Sequence, residues 1–194
     1  DLNSPTRRGF THIDTYPIDE KYRVAARFEP YDPPKRIPIA NTEIDPALHP
    51  GATFYGEGHY VTPDDASAGN QMNNASWRSL TVGSFQSGGW NLNLASFTHR
   101  TEPAIMAWQL ADPNVRLENV QPTGDGRFIV GSRATDNGNG TWHYEFAIFN
   151  LNSDRAGQMF SVPIGSGVSV TNVGFHDVIS HSGEPYSNTD WTPT

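Results

Sequence analysis

One hairpin constrains the fold of this chain more than any other stretch, because strand, turn and strand follow one another between residues 125 and 150. In residues 142–149 the even positions are apolar, three of them aromatic, and the odd positions from 141 include the polar Thr141, His143 and Glu145, a period of two that indicates a half-buried strand. A similar alternation covers residues 128–134. The intervening Asp136-Asn137-Gly138-Asn139-Gly140 tolerates positive φ and reverses the chain. The sequence predicts an antiparallel hairpin whose aromatic face, with Trp142, belongs to the core.

Shorter alternating stretches predict further strands. They cover residues 10–13, 22–28, 52–61, 77–82, 90–97, 115–120, 159–164 and 168–175. Gly56 and Gly58 indicate a bulge or a close backbone approach in one strand, and a change of apolar phase at Asn172 indicates a bulge in another. Residues 104–110 are nearly all apolar, which favours a strand covered on both faces, with a buried helical turn as the competing interpretation. The best helical candidate, residues 64–71, predicts no more than a turn.

These elements predict an all-β chain. About ten short strands without intervening helices are typical of an antiparallel β-sandwich, of jelly-roll or immunoglobulin-like type. Six prolines between residues 29 and 51 favour an extended connection over central strands. We therefore expect an extended N-terminal arm with one strand over residues 1–40 and the sandwich domain over residues 41–194. At 194 residues and without cysteine, the chain can bury a core and needs no disulfide.

Charge and composition exclude several classes of function. The formal net charge is −8, and no cluster of Lys or Arg follows Arg7-Arg8. A nucleic-acid partner is therefore not expected, because phosphate binding depends on concentrated positive charge. No run of about 18 apolar residues exists, so membrane insertion is not expected either. The chain begins at Asp1 without Met or an apolar signal-peptide core, which favours a mature product or an excised piece.

Residues 8–40 resemble an uncharacterised bacterial family built on a domain of unknown function. The resemblance is carried by Arg8-Gly9-Phe10-Thr11, Tyr16-Pro17-Ile18-Asp19, Tyr22-Arg23-Val24 and Ala26-Arg27-Phe28. It stops near Ala40, which suggests that two unrelated pieces of sequence meet between Ala40 and Asp45. The family implies no catalytic residue for this chain.

Residues 45–191 are similar to large uncharacterised secreted proteins of planctomycete-type bacteria. The similar stretches are Tyr55-Gly56-Glu57-Gly58-His59-Tyr60, Asp136-Asn137-Gly138-Asn139-Gly140-Thr141-Trp142, Asn150-Leu151-Asn152-Ser153-Asp154-Arg155 and Asn172-Val173-Gly174-Phe175-His176-Asp177-Val178. This resemblance implies an extracellular or cell-surface location and says less about activity.

A possible metal site lies near the C-terminus, where His176, Asp177, His181 and Glu184 fall within nine residues. Neutral imidazole and carboxylate groups are ligands that divalent cations accept, so these four residues could hold a divalent metal and support a metal-dependent hydrolase. The competing interpretation is structural: the carboxylates accept backbone N–H bonds in turns, and the histidines lie at the edge of a strand. Their spacing matches no established ligand signature.

Glu57 and His59 lie two positions apart and share one face of a strand, and His99 could lie near them. A carboxylate beside an imidazole can act as an oriented general base, although such a pair is more often a solvent-facing cross-strand contact. No phosphate-binding glycine loop, nucleophile elbow or dinucleotide fingerprint is present. The loop from Asp136 lacks an oxygen ligand at Gly138, which argues against calcium.

Trp191 is the tryptophan expected to be exposed, and it could stack on a polysaccharide. Three hypotheses follow. The first is an extracellular structural or adhesive β-sandwich module that assembles with copies of itself or with other surface proteins, its N-terminal arm adding to a neighbour's sheet. The second is a carbohydrate-binding module, and the third is the metal-dependent hydrolase.

Overall fold

The computed structural model of the chain describes residues 11–14, 39–60, 62–153, 155, 157–175, 189 and 192–193, and in these residues the fold is mostly β. The strands are β1 (Thr11–Asp14), β2 (Phe54–His59), β3 (Ala75–Gln86), β4 (Gly89–Arg100), β5 (Arg116–Val120), β6 (Phe128–Asp136) and β7 (Trp142–Asn150). The helices are a 3₁₀ turn (Asn41–Glu43), α1 (Pro63–Ser67) and α2 (Met106–Ala111). Within those ranges, no helix has the length and hydropathy needed to cross a membrane.

Sheet 1 has the strand order β1-β2-β3-β4. Strands β2, β3 and β4 are antiparallel, whereas β1 runs parallel to β2. Ser87 and Gly88 join β3 to β4 with φ of 52° and 85°. Two consecutive positive φ angles are those of a type I′ turn, whose twist matches the twist of the flanking strands. The strand expected at residues 10–13 is present as β1, and it pairs with β2 of its own chain.

Sheet 2 has the order β5-β6-β7 and is antiparallel throughout. It contains the predicted hairpin, in which Asp136 of β6 pairs with Trp142 of β7. In the connecting loop Gly138 and Gly140 have φ of 73° and 81°. The Asp136 carboxylate accepts a hydrogen bond from the backbone N–H of Gly138 at 2.8 Å. The hairpin prediction is confirmed, and the carboxylate that opens the loop stabilises the turn.

The core lies where α2 and the residues before it contact both sheets. One buried cluster combines Ala75, Ile105, Ile129, Phe149 and Leu151. A second combines Trp77, Ala104 and Ala107, with Tyr55 packed against it. Successive residues of this stretch therefore join different clusters, because a helical turn presents them in different directions.

The strand expected at residues 104–110 is consequently wrong, and the competing helical interpretation is correct. Met106, Ala107, Gln109 and Leu110 are all good helix formers. In a strand, residues on one face are two positions apart. Here Ala104 and Ala107, which are three positions apart, belong to the same buried cluster, as expected for a helical turn. Within this stretch burial is limited to Ala104, Ile105 and Ala107, whereas Leu110 is 66% exposed, so continuous apolarity does not indicate a strand covered on both faces.

Other strand predictions need correction. Residues 159–164 and 168–175 form no strand, although Asn172, where the apolar phase changes, has a positive φ of 55°. Gly56 and Gly58 pair regularly with β3, and the irregularities lie between β3 and β4 instead. The strand expected at residues 22–28 lies outside the described residues. Residues 64–71 contain one short helical turn, α1, in which the Thr62 side chain accepts from the Asp65 N–H.

Candidate functional site

A row of three side chains crosses the inner face of sheet 1, which is the face that packs against α2. The register pairs Glu57 of β2 with Trp77 of β3, and Trp77 with His99 of β4. Side chains of directly paired residues point to the same face of a sheet. The structure therefore places Glu57 and His99 on the two sides of Trp77. The sequence alone could not place these two residues relative to each other.

Glu57 acts as a structural anchor in this row. Its side chain is buried, and Oε2 accepts a hydrogen bond from the backbone N–H of Ala104 at 2.6 Å. His59 is buried as well. The expected solvent-facing contact is wrong for this pair, because both side chains are buried, whereas the general-base interpretation stays a prediction. The carboxylate instead fixes the residues that lead into α2.

His99 is oriented by aromatic stacking. Its ring lies parallel to Trp77, with 3.7 Å between centroids and 4° between planes, and it lies 4.5 Å from the Phe97 ring. Tyr55 supports Trp77 from the other side with an edge contact at 5.4 Å. The Nδ1 atom of His99 is 3.7 Å from Oε2 of Glu102. The imidazole is thus held beside a carboxylate at the end of β4.

A cleft of about 340 Å³ opens between this end of β4 and α2. It is lined by Trp77, His99, Glu102, Met106, Gln109 and Leu110. Its size is at the lower end for small-molecule sites, and its imidazole, carboxylate and amide can hydrogen-bond a ligand. These six residues include no hydroxyl or thiol nucleophile. In the described part of the chain, no group of three or more His, Cys, Asp or Glu is placed to hold a metal.

Asp112 lies at the end of α2, outside the cleft, and its pKa is lowered. Its carboxylate accepts from Arg133 Nε at 2.5 Å and from the backbone and side-chain N–H groups of Asn114 at 2.9 Å. These hydrogen bonds, that from Arg133 above all, lower the pKa of Asp112 from 3.8 to about 2. Because Arg133 belongs to β6, this ion pair ties α2 to sheet 2 and has a structural role.

The predicted metal ligands His176, Asp177, His181 and Glu184 lie outside the described residues, as does Trp191. The divalent-metal site, the hydrolase that depends on it and the polysaccharide platform at Trp191 therefore stay predictions.

A second candidate site lies on the outer face of sheet 2. Trp142, Tyr144 and Phe146 of β7, called here the aromatic row, are 55%, 58% and 41% exposed. Their assignment to the core was wrong. The opposite face of β7 is the inner one, where Phe149 joins the buried cluster and Ala147 packs against it. The sequence did not reveal which face of β7 is buried. Only two apolar residues, Ala147 and Phe149, mark the buried face, whereas three aromatic residues mark the exposed one.

Residues 157–175, called here the uncharged segment, contain no Asp, Glu, Lys, Arg or His. They form neither strand nor helix, yet their large apolar side chains are exposed. The segment begins beside the aromatic row, since the rings of Phe160 and Phe146 are 5.2 Å apart in an edge contact. Two apolar surfaces of one chain are therefore open to solvent next to each other.

Comparison of the chain with protein-family models, curated proteins and solved structures finds no match in any of the three. The secreted-protein resemblance and the resemblance of residues 8–40 stay expectations. The aromatic row and the uncharged segment are therefore the features that bear most directly on function.

Proposed function

We propose that this chain is an extracellular structural or adhesive module with a β-sandwich fold that assembles with copies of itself. The observation that carries the proposal is the aromatic row, which is exposed on an edge strand. Contiguous apolar surface of this kind on a folded protein marks an interaction site. Large aromatic side chains are also the residues that contribute most to protein interfaces.

A sandwich is supported by the composition of the core. Ala75 of sheet 1 shares one buried cluster with Ile129 and Phe149 of sheet 2 and with Ile105. Two antiparallel sheets that bury their inner faces in a common core form the layers of a sandwich. The outer face of sheet 2 then faces away from the core, which is where the aromatic row lies.

Strand β7 lacks most of the devices that usually protect an edge, and Glu145 is its one carboxylate. In the described part of the chain it pairs with β6 on one side and with no strand on the other. Natural edges are blunted by Lys, Pro or a bulge, whereas β7 contains neither Lys nor Pro and pairs in regular register with β6. The net charge of −8 on each copy limits indiscriminate aggregation. These properties suit specific pairing of copies.

The proposal is tested by the mass of the particle in solution over a concentration series, measured by sedimentation or light scattering. The wild-type mass should rise with concentration, and Tyr144→Lys should stay monomeric because a charge is placed within the aromatic row. Thr135→Lys is the matched control, since it adds the same side chain at an exposed position of β6, opposite His143, on the other face of sheet 2 and off the edge strand. A wild-type chain that stays monomeric at every concentration overturns the proposal.

Carbohydrate binding is the second candidate, and the exposure of Trp142 and Tyr144 favours it. Two aromatic side chains at alternate positions of one strand face can stack on consecutive sugar rings. Retention of a monomeric protein on an insoluble polysaccharide, lost in Trp142→Ala and kept in His143→Ala, would support this function over assembly. Wild-type protein that assembles and shows no retention supports the first proposal.

A further inference from the structure

We infer that the partner of the aromatic row is the uncharged segment of a second copy of this chain, which adds to the open edge of β7. The inference rests on the proposed function and names the surface that the second copy contributes. Strand addition of this kind obtains affinity from backbone hydrogen bonds and specificity from side chains at alternate positions.

The uncharged segment has the side-chain pattern of a strand that lacks a partner. Phe160, Val162 and Ile164 occupy alternate positions, and Val168 and Val170 repeat the pattern. All five are exposed; Val170, for example, is 52% exposed. Valine and threonine have high β-propensity, so residues 168–171 are suited to pairing once an edge is available. The segment thus has an apolar face that its own chain leaves uncovered.

The ends of the pairing stretch are set by backbone chemistry. Pro163 has no backbone N–H to donate, so a paired strand is disfavoured in the residues that precede the pairing stretch. The N–H of Val168 bonds to the carbonyl of Gly165 at 3.2 Å, which forms a turn just before the stretch. After it, Asn172 has a φ of 55°, which interrupts an extended strand. Residues 168–171 therefore form the part that adds to an edge.

Spacing and charge match the aromatic row. Val168 and Val170 are two positions apart, as are Tyr144 and Phe146, so both pairs repeat at about 7 Å along a strand. The β6 residues opposite Tyr144 and Phe146 are Ala134 and Ser132, which carry no charge. Two copies that each carry −8 repel each other at long range. Electrostatic repulsion between two copies is smallest when the uncharged segment of one copy meets the uncharged face of the other.

Position within the chain favours exchange between two copies. Asn150 and Ser153 fix the turn after β7, with the Ser153 N–H donating to Asn150 Oδ1 at 2.8 Å. Ser153 Oγ also bonds to Asp125 Oδ2 at 2.7 Å. The uncharged segment then begins beside its own aromatic row, where Phe160 contacts Phe146. When two copies face each other row to row, each segment lies beside the row of the other copy, which gives a symmetric dimer with two equal contacts.

A mixing experiment with two full-length variants tests this exchange. Tyr144→Lys disables the aromatic row, and Val170→Lys disables the segment. Each variant alone should be monomeric. An equimolar mixture should form a heterodimer through one intact contact, the segment of the first variant on the row of the second, with weaker affinity than wild type. Sedimentation velocity with one variant fluorescently labelled measures the complex directly.

Ser166→Lys is the matched control for the segment, because it adds the same charge at an exposed turn position outside residues 168–171, and it should dimerise like wild type. Circular dichroism and thermal unfolding confirm that all variants are folded. If wild type assembles and the mixture does not, or if Val170→Lys assembles normally, the exchange is wrong while the proposed function stands. If wild type is monomeric, both are wrong.

Discussion

Position 126 requires glycine because the backbone of another segment lies very close to it. A Cβ atom there would lie 2.2 Å from the carbonyl oxygen of Asn152, in the segment that follows β7. The adjacent Arg127 N–H bonds to Asn152 Oδ1 at 2.8 Å, so the two segments cannot separate freely. We expect Gly126→Ala to lower the free energy of unfolding by about 1–3 kcal/mol, a typical cost of overpacking. Urea denaturation measures the change.

Gly58→Ala is the control for that substitution. A Cβ at position 58 would meet no atom within 4 Å. Because glycine within a strand is about 0.5–1 kcal/mol less favourable than alanine, this variant should be unchanged or slightly more stable. Equal stability of the Gly126 and Gly58 variants would show that the chain after β7 moves away from β6 at little cost.

The ion pair between Asp112 and Arg133 predicts a defined pH dependence. Folding lowers the pKa of Asp112 from 3.8 to about 2. The ionised carboxylate therefore contributes stability above about pH 4, and this contribution disappears as the pH falls toward about 2. Asp112→Asn should unfold at a lower temperature than wild type at pH 6, and the difference should shrink through that range. A difference that is constant with pH contradicts this role.

Packing between α2 and sheet 2 leads to a prediction at the scale of elements. A Cβ at Gly131 of β6 would lie 2.8 Å from Cζ3 of Trp108 and 3.2 Å from Leu117. Gly131 thus provides the space that the indole of α2 occupies. We expect Gly131→Ala to be strongly destabilising alone and much less so when combined with Trp108→Ala.

A double-mutant cycle measures this interaction through the unfolding free energies of wild type, both single variants and the double variant. Residues in direct contact couple by about 0.5–3 kcal/mol, and the cavity left by Trp108→Ala can accept the extra methyl group. Additive effects would show that α2 is not held against β6 by this contact.

The elements that the sequence predicts correctly are those defined by local chemistry. The β6–β7 hairpin combines alternation with positive-φ turn residues, and both signals act within a few positions. Helix α2 was not predicted because a short, nearly continuous apolar run has the same composition in a covered strand and in a helical turn. The stretches at residues 159–164 and 168–175 have strand composition, but a strand also requires a partner edge, which composition does not reveal.

The same limit applies to single positions. Which face of β7 is buried depends on where α2 packs, so the exposure of Trp142 was not predictable from alternation alone. Glu57 and His99 share a row because of the register of three strands, and register is a tertiary property. The close approach between Glu57 and Ala104 likewise joins residues far apart in sequence.

For the whole molecule, the arrangement of the two sheets could not be read from sequence, whereas the mostly β fold could. Both sheets pack on one stretch of chain that leads into α2, through Ala104 and Ala107 on one side and Ile105 on the other. The strand N-terminal to this domain adds to sheet 1 of its own chain. Among the described residues, open apolar surface lies on β7 and the uncharged segment, and also on β4, where Leu94 and Phe97 are exposed.

Salt should strengthen assembly if copies pair through these apolar, uncharged surfaces. Each copy carries a net charge of −8, so association works against mutual repulsion. Raising the salt from about 0.01 M to about 1 M shortens the Debye length from about 30 Å to about 3 Å and screens that repulsion, whereas apolar burial is retained. The dimer dissociation constant, measured by sedimentation equilibrium, should therefore fall, and Tyr144→Lys should remain monomeric throughout. A dissociation constant that rises with salt would instead assign the interface to ion pairs, and the aromatic row would lose its role.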